Sequence, residues 1–430
     1  MDKYASANKT YDPLTQIKDR TSFVIDSQKY VAQGVHAHII LVQLSQLLRI
    51  NRKYGILVCD KLIFHIAQYL QALDSGYEAY RIANSRLVLL GPECSLEQAN
   101  ARIAQIRERF ETPWTVSHDH HTYAISTKAY FIHLFMELCD NENDLMDKMN
   151  HAISVFPSKE KDGIVFFDQE INADMRHLKY IMEELRYAID HKTFHMYYQP
   201  IYDCHEKKFT SAESLIRLNG RDGTFISPGE FIPMAEDTGL IDGISWIVLE
   251  KVCHFLGSHP DLPLKTVSIN MTGQQILDPS FIKRVKDSLE KNHLDGSRLR
   301  IEITERTIIE DFAEVKKVME YLSGIGIHFY LDDFGTGYSN LSSMFSLPFE
   351  VIKFDQSLMR TINDTSKALK TIGLLADIMH ENEYYIVAEG IETEVQAKTA
   401  NECRLDRIQG YYFSKPLPED KLVEFLKENS

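Results

Sequence analysis

The sequence predicts an α/β fold in two parts: a C-terminal TIM-like (β/α)8 barrel and, ahead of it, a smaller α+β module. Three observations predict the barrel. Short apolar runs in the C-terminal half each deliver a ligand-type side chain: Val267-Ser268-Ile269-Asn270, Leu299-Arg300-Ile301-Glu302, Leu331-Asp332, Val351-Ile352-Lys353 and Ile386-Val387-Ala388-Glu389. From Asn270 through Glu302, Asp332, Lys353, Glu389 and Gln409 the spacings are 32, 30, 21, 36 and 20 residues, each about one strand, one helix and two loops. Between them lie stretches of helical periodicity, at residues 281–289, 315–322 and 368–379. In such a barrel the C-terminal strand ends share one rim, so residues far apart in sequence converge on one pocket.

The most informative run is Leu331-Asp332-Asp333-Phe334-Gly335-Thr336-Gly337-Tyr338-Ser339. Successive side chains alternate on a strand, so at its end one aspartate can face inward while its neighbour reaches across the mouth. Two hard oxygen ligands beside a glycine-bearing loop suit Mg2+ or Mn2+. A solvated acidic turn is the competing reading, and the flanking residues weigh against it. Upstream lies Ser211-Ala212-Glu213-Ser214-Leu215-Ile216-Arg217 and downstream Ile408-Gln409-Gly410-Tyr411-Tyr412-Phe413, which add a further carboxylate and a glutamine to the same rim.

These residues carry a family resemblance. From about residue 180 to 426 the chain resembles an EAL domain, the phosphodiesterase of bacterial cyclic di-GMP signalling. The match includes Tyr198-Gln199-Pro200-Ile201, Glu213-Ser214-Leu215-Ile216-Arg217, Ser227-Pro228-Gly229-Glu230-Phe231-Ile232-Pro233, Ala235-Glu236-Asp237-Thr238-Gly239-Leu240-Ile241, the Asp332-Asp333 loop and Ala388-Glu389-Gly390-Ile391-Glu392-Thr393. The resemblance implies that Glu213, Asn270, Glu302 and Asp332 hold one Mg2+ or Mn2+ ion and that Asp332 and Asp333 share a second. It implies Lys353 and Glu389 at the attacking water, with Glu305 and Glu392 fixing the metal-site loop. It places Gln199, Leu215, Arg217, Asp355 and Gln409 against cyclic di-GMP, Arg217 near phosphate, and it implies a homodimer paired through the barrels.

The chemistry fits those residue types. Hydrolysing a phosphodiester needs a nucleophile at neutral pH and neutralisation of the phosphoryl oxygens, and a two-metal site supplies both. Opening the ring at one linkage would yield linear pGpG. Ser214 stands where the name-giving motif has alanine; its hydroxyl needs a partner if buried, while Glu213 keeps the side chain that matters. A silent receptor for the same nucleotide is the alternative, and the intact ligand set favours the enzyme.

The first third opens with Asp12-Pro13-Leu14-Thr15 and reaches an apolar strand at Ala37-His38-Ile39-Ile40-Leu41-Val42. It resembles a GGDEF domain, the nucleotidyl-cyclase-like partner module, with residues 47–55 matching the start of its first long helix. Gln43 and Ser45 occupy its metal-site aspartate positions. The signature loop reads Ala83-Asn84-Ser85-Arg86-Leu87, without the glycines that let backbone approach phosphate or the acidic pair that binds metal. Asp74 and Tyr77 fall where an inhibitory product site needs arginine and aspartate. Cyclase activity is therefore expected to be absent. A packing or dimerisation role is favoured over GTP or protein regulation at this module.

His118-Asp119-His120-His121 could suggest zinc, but neighbours in a hairpin point different ways and no cysteine or further acidic partner lies close, so a polar turn is expected. The chain of 430 residues, 44% hydrophobic, is long enough for two cores. No stretch reads as a membrane span or secretory signal, which predicts a cytoplasmic protein. Six scattered cysteines read as reduced thiols. A net charge of −15 argues against a nucleic-acid polymer but not against a dinucleotide held with cations. The expected division is 1–170 for the GGDEF-like module and 171–430 for the barrel, with residues 173–190 a helix leading between them and transmitting orientation.

Overall fold

The computed structural model describes residues 10–33, 37–73, 76–92, 94–135, 144–151, 164–166, 169–304, 312–336, 344–360 and 366–429. Two compact units divide the chain, Met1–Lys179 and Tyr180–Ser430. The helix Gln169–His191 runs unbroken across that division.

The first unit is a six-stranded sheet built from β1 (Lys18–Asp19), β2 (Ala37–Leu44), β3 (Glu78–Ala83), β4 (Arg86–Pro92), β7 (Ala129–Phe135) and β8 (Ile164–Phe166), in the order β1-β3-β4-β2-β7-β8. Between them in sequence, β5 (Trp114–His118) and β6 (His121–Ile125) form a separate hairpin. β2 shows why the unit is layered. Its residues alternate between two cores, Ile40, Val42 and Leu44 facing the layer of the helix Ile56–Ala72, and Ile39 and Leu41 packing with Phe23. A strand buried on both faces reads as a continuous apolar run. The expected first long helix is broken: Leu47–Tyr54 ends at Gly55, whose φ of 90° belongs to glycine, and a second helix starts at Ile56.

The His118–His121 segment is the expected polar turn. His118 pairs with His121 across the hairpin, and Asp119 and His120 take φ of 47° and 61° between them, the left-handed pair of a two-residue turn.

The second unit is a closed eight-stranded barrel of β9 (His195–Asp203), β10 (Lys208–Asn219), β12 (Thr266–Asn270), β13 (Leu299–Thr304), β14 (His328–Phe334), β15 (Phe349–Phe354), β16 (Tyr385–Ala388) and β17 (Arg407–Ile408). The short β11 (Phe225–Ile226) and β18 (Leu417–Pro418) pair on its margins. One feature departs from an all-parallel barrel: β9 is antiparallel to both β10 and β17. A tight turn at 204–207, with Lys207 at φ 57°, returns the chain directly into β10 without a crossover helix.

Strand alternation sorts the barrel residues. Val267, Ile269, Leu299, Ile301, Ile303, Phe329 and Leu331 face outward into one core shared with the surrounding helices. Asn270, Glu302, Tyr330 and Lys353 take the opposite parity and point into the barrel. Inside, Ile201, Tyr330, Val351 and Val387 form a small separate cluster that floors the polar layer above it.

Among the described residues no helix is long and apolar enough to cross a membrane. Cys59, Cys94, Cys204, Cys253 and Cys403 are unpaired; Cys139 lies outside the described residues.

Candidate active site

The strand ends meet around one ammonium. Lys353, 1% exposed, has Nζ 2.6 Å from Glu302, 2.8 Å from Glu389, 3.0 Å from Asp332 and 3.3 Å from Glu213. Gln409 Nε2 donates to Glu213 Oε2 at 2.6 Å and to Gln199 Oε1 at 3.2 Å. Asn270 Nδ2 donates to Glu213 Oε1 at 3.0 Å, leaving its amide oxygen as an available ligand. Gln199 reaches this group because β9 runs antiparallel and sets it opposite Glu213; its Nε2 donates to the Ser414 carbonyl at 3.2 Å.

Near the end of β14, Asp333 follows Asp332 with φ 58°. An L-residue enters that left-handed region at a cost that functional sites commonly carry. The β14–β15 register is irregular at the same place, so the two neighbouring carboxylates both line one cavity rather than opposite faces. That cavity, about 800 Å3, is also lined by Leu215, Arg217, Asn270 and Thr304. The Arg217 guanidinium sits 5.4 Å from the Tyr197 ring centroid.

Burial dominates the electrostatics. It pushes Glu302 well above the usual carboxylate range, since Glu213 and Asp332 add repulsion that Lys353 does not offset. It raises Glu389 to about 8 against the opposing pull of Lys353. Burial, then Asp332 and Asp355, lifts Asp333. Glu213 goes the other way: burial opposes its charge, but Lys353 and the amide donors of Gln409 and Asn270 prevail and hold it low. Burial would likewise discharge Lys353, and the surrounding carboxylates outweigh it and keep the ammonium charged.

Divalent metal fits this donor set. Among the described residues Glu302 Oε1 is buried without a hydrogen-bond partner, and so is Asp332 Oδ1, which lies at ion-pair distance from Lys353 but outside hydrogen-bond geometry. Orphaned buried carboxylate oxygens are costly unless a cation takes them, and oxygen donors are those that Mg2+ or Mn2+ prefer. Among the described residues no three acidic, histidine or cysteine side chains form a ready-made cage; Lys353 stands between the carboxylates.

Residues 182–416 match the family model for the EAL domain, and residues 9–155 match that for the diguanylate cyclase, GGDEF domain. The chain belongs to the EAL family. A GGDEF-family module precedes its EAL domain. The signaling protein YkoW of Bacillus subtilis is 28% identical over 97% of this chain and 53% of its own length. The bifunctional diguanylate cyclase/cyclic di-GMP phosphodiesterase MucR of Pseudomonas aeruginosa is 25% identical over 96% of this chain and 61% of its own. The chain thus spans little more than half the length of the curated relatives it matches. A solved structure of the MucR phosphodiesterase in complex with c-di-GMP shares 28% identity at a TM-score of 0.53, covering 56% of this chain and 99% of that one.

The EAL domain brings together Glu213, Asn270, Glu302, Asp332, Lys353, Glu389, Gln409 and Gln199, with Asp333, Leu215 and Arg217 on the adjoining cavity wall. Asp355 lies close enough to Asp333 to raise its pKa, while its own carboxylate accepts from the Ser357 amide at 2.8 Å. Glu392 stands apart from the ammonium: it is exposed and accepts from Gln356 Nε2 at 3.4 Å. Glu305 and the loop residues Gly337, Tyr338 and Ser339 lie outside the described residues. Ser214 is buried and its hydroxyl donates to the Ser268 carbonyl at 2.7 Å, so the serine is satisfied. Two contributors were not legible from composition: Ser414, whose carbonyl holds Gln199, and Thr304, which pairs with Asp332 across β13 and β14.

In the GGDEF-family module the signature loop is a two-residue turn, Asn84-Ser85, between β3 and β4. Its neighbours close on one another. Gln43 Nε2 donates to Ser85 Oγ at 2.9 Å, and Arg86 donates to Gln43 Oε1 at 3.2 Å and to Asn150 Oδ1 at 2.8 Å. Tyr77 shares a hydrogen bond of 2.7 Å with His38 Nδ1; Asp74 lies outside the described residues.

Proposed function

We propose that this chain hydrolyses cyclic di-GMP to linear 5′-pGpG in a metal-dependent reaction, and that its GGDEF-family module makes no cyclic di-GMP. The observation that carries the reading is the buried Lys353 ringed by Glu213, Glu302, Asp332 and Glu389 at the C-terminal strand ends. The phosphodiesterase activity named for MucR supports it.

Glu213, Asn270, Glu302 and Asp332 would hold one Mg2+ or Mn2+ ion, and Asp332 with Asp333 a second. Bound there, the pair would neutralise phosphoryl charge and activate water. The chain's own residues do the rest. Glu389, 2.8 Å from the Lys353 ammonium at the rim, is placed to accept the proton of the attacking water. Lys353 stays charged and orients the carboxylates, and Arg217 takes the second phosphate. Gln409 donates to Glu213 and to Gln199, and both glutamines, with Leu215 and Asp355, would meet the substrate, while Glu305 and Glu392 support the loops. In-line displacement at phosphorus breaks one P–O3′ bond and leaves a 5′-phosphate.

The self-satisfied Gln43, Ser85, Arg86 and Asn150 network supports a structural role for the first module, for which we keep the division at 170/171. Leu374 and Ile378, exposed one turn apart on the helix Ser366–Glu381, support pairing of two EAL domains. Purified protein incubated with cyclic di-GMP and Mg2+ or Mn2+ should form pGpG on chromatography, and EDTA should stop it. Intact nucleotide with measurable binding would instead mark a receptor. GTP should give no product and no detectable heat at millimolar concentration.

A further inference from the structure

The first unit carries a cationic and apolar face that hydrolysis does not use. Between Asp26 and Asp60 the chain has no acidic residue, although the protein as a whole has a net charge of −15. Within that interval the helix Leu47–Tyr54 stops at Gly55 and the next starts at Ile56. Ile50 turns one side of the first helix into the core, where it packs with Val58 and Cys59 of the second, and the opposite side is left to solvent. There Leu48, Arg49, Arg52 and Lys53 line one shallow hollow of about 520 Å3. None of these three cations has a carboxylate partner among the described residues; Lys53 Nζ stands 4.9 Å from the Tyr54 ring centroid. Leu48, Ile56 and Leu57 are 66%, 63% and 56% exposed, more than any other leucine or isoleucine among the described residues.

We propose that this face rests on a lipid bilayer with anionic headgroups. Exposed aliphatic side chains rimmed by unpaired cations mark an interaction surface, and on a short helix they are the pattern of a segment that lies on a membrane without spanning it. Charge complementarity selects this face. A net charge of −15 opposes contact with an anionic bilayer except through a local cationic patch, and the pull of the lipid surface on Arg and Lys acts within a Debye length. The aliphatic tips select a bilayer over an acidic protein. A protein partner would have to offer a shaped pocket to each of Leu48, Ile56 and Leu57, whereas the acyl boundary receives protruding side chains of any shape. The Arg and Lys stems would lie along that boundary with their charges among the headgroups. Cations alone or aliphatics alone hold weakly, and the two together make a reversible peripheral contact.

Flotation of the full chain with vesicles of phosphatidylcholine alone, and of phosphatidylcholine mixed equally with phosphatidylglycerol, reads the contact. The wild type should float with the anionic vesicles only, and added salt should release it. Arg52→Gln combined with Lys53→Gln should lower the partition coefficient roughly 25-fold, about fivefold for each cation withdrawn, and Leu48→Ser combined with Ile56→Ser about tenfold or more. Circular dichroism checks that these exposed substitutions leave the fold intact. Lys283→Gln combined with Lys291→Gln, on exposed positions of the barrel helix Phe281–Lys291, should leave the partition within about twofold. A wild type that floats with neither vesicle at low salt, equal recovery with both, or a folded Arg52/Lys53 or Leu48/Ile56 variant that partitions as the wild type would overturn the assignment. Retention on immobilised polyglutamate without flotation would also overturn it, and would give the face to an acidic protein.

Discussion

Replacing Lys353 by methionine keeps the length of the side chain and deletes the charge on which four carboxylates converge. Each contact near 3 Å is worth roughly 5 kcal/mol of attraction at an effective dielectric of about 20, most of it offset by the cost of burying the ions. The measured penalty for removing one partner of a buried ion pair is about 3–5 kcal/mol. For a unit the size of this barrel 1 kcal/mol moves Tm by about 2–4 °C, so the barrel transition of Lys353→Met should fall by roughly 6–20 °C in EDTA. Saturating Mg2+ should restore part of the loss, about 2.7 kcal/mol at 100 times Kd, because the cation takes over the neutralising charge. Scanning calorimetry of both proteins with and without Mg2+ reads this directly. A fall of less than about 2 °C in EDTA would refute the view that the ammonium holds the carboxylates together.

Two other outcomes are expected. In the first unit Asp26 accepts from Lys29 at 2.7 Å and from Lys18 and Tyr80 at 3.0 Å; burial opposes its charge, but these donors win and lower its pKa from 3.8 to about 2. A lowered folded pKa stabilises above the unfolded value and is lost as pH falls through the folded one, so the Asp26→Asn penalty of about 1–2 kcal/mol at pH 7 should fade between pH 4 and 2 in urea titrations. Ser214→Ala restores the alanine of the motif and removes the bond to Ser268; unfolding in urea should show a loss within about 1.5 kcal/mol, with hydrolysis within about twofold, and a large activity change would contradict the alternation argument.

Much of the barrel was legible because its signal is local. An apolar run ending in Asn270, Glu302, Asp332, Lys353 or Glu389 states a strand and its inward end together, and alternation then places Ile301 and Ile303 outward around Glu302. Less legible was anything set by pairing partners. The four residues 204–207 are too few for a crossover and mark an antiparallel first pair, a signal that the spacing of strand ends does not carry, and that pairing puts Gln199 opposite Glu213. The Asp332-Asp333 pair was read from regular alternation, and the positive φ of Asp333 turns both carboxylates toward one cavity. Glycine at position 55 was read inside a helix start and instead ends one helix before another. Glu392 shows the limit of a motif, which gives a residue's identity but not its exposure.

The central claim is that Glu213, drawn into the cage by Asn270, Gln409 and Lys353, holds metal for phosphodiester hydrolysis. Its most direct test is the initial rate of pGpG formation by the wild type and a Glu213→Ala variant at matched Mg2+, with far-UV circular dichroism confirming that the variant is folded. The account predicts metal-dependent product from the wild type and a loss of about a hundredfold or more in the variant, on the scale of removing one charge-stabilising group from a catalytic site. Wild-type rates from a folded Glu213→Ala protein would contradict it.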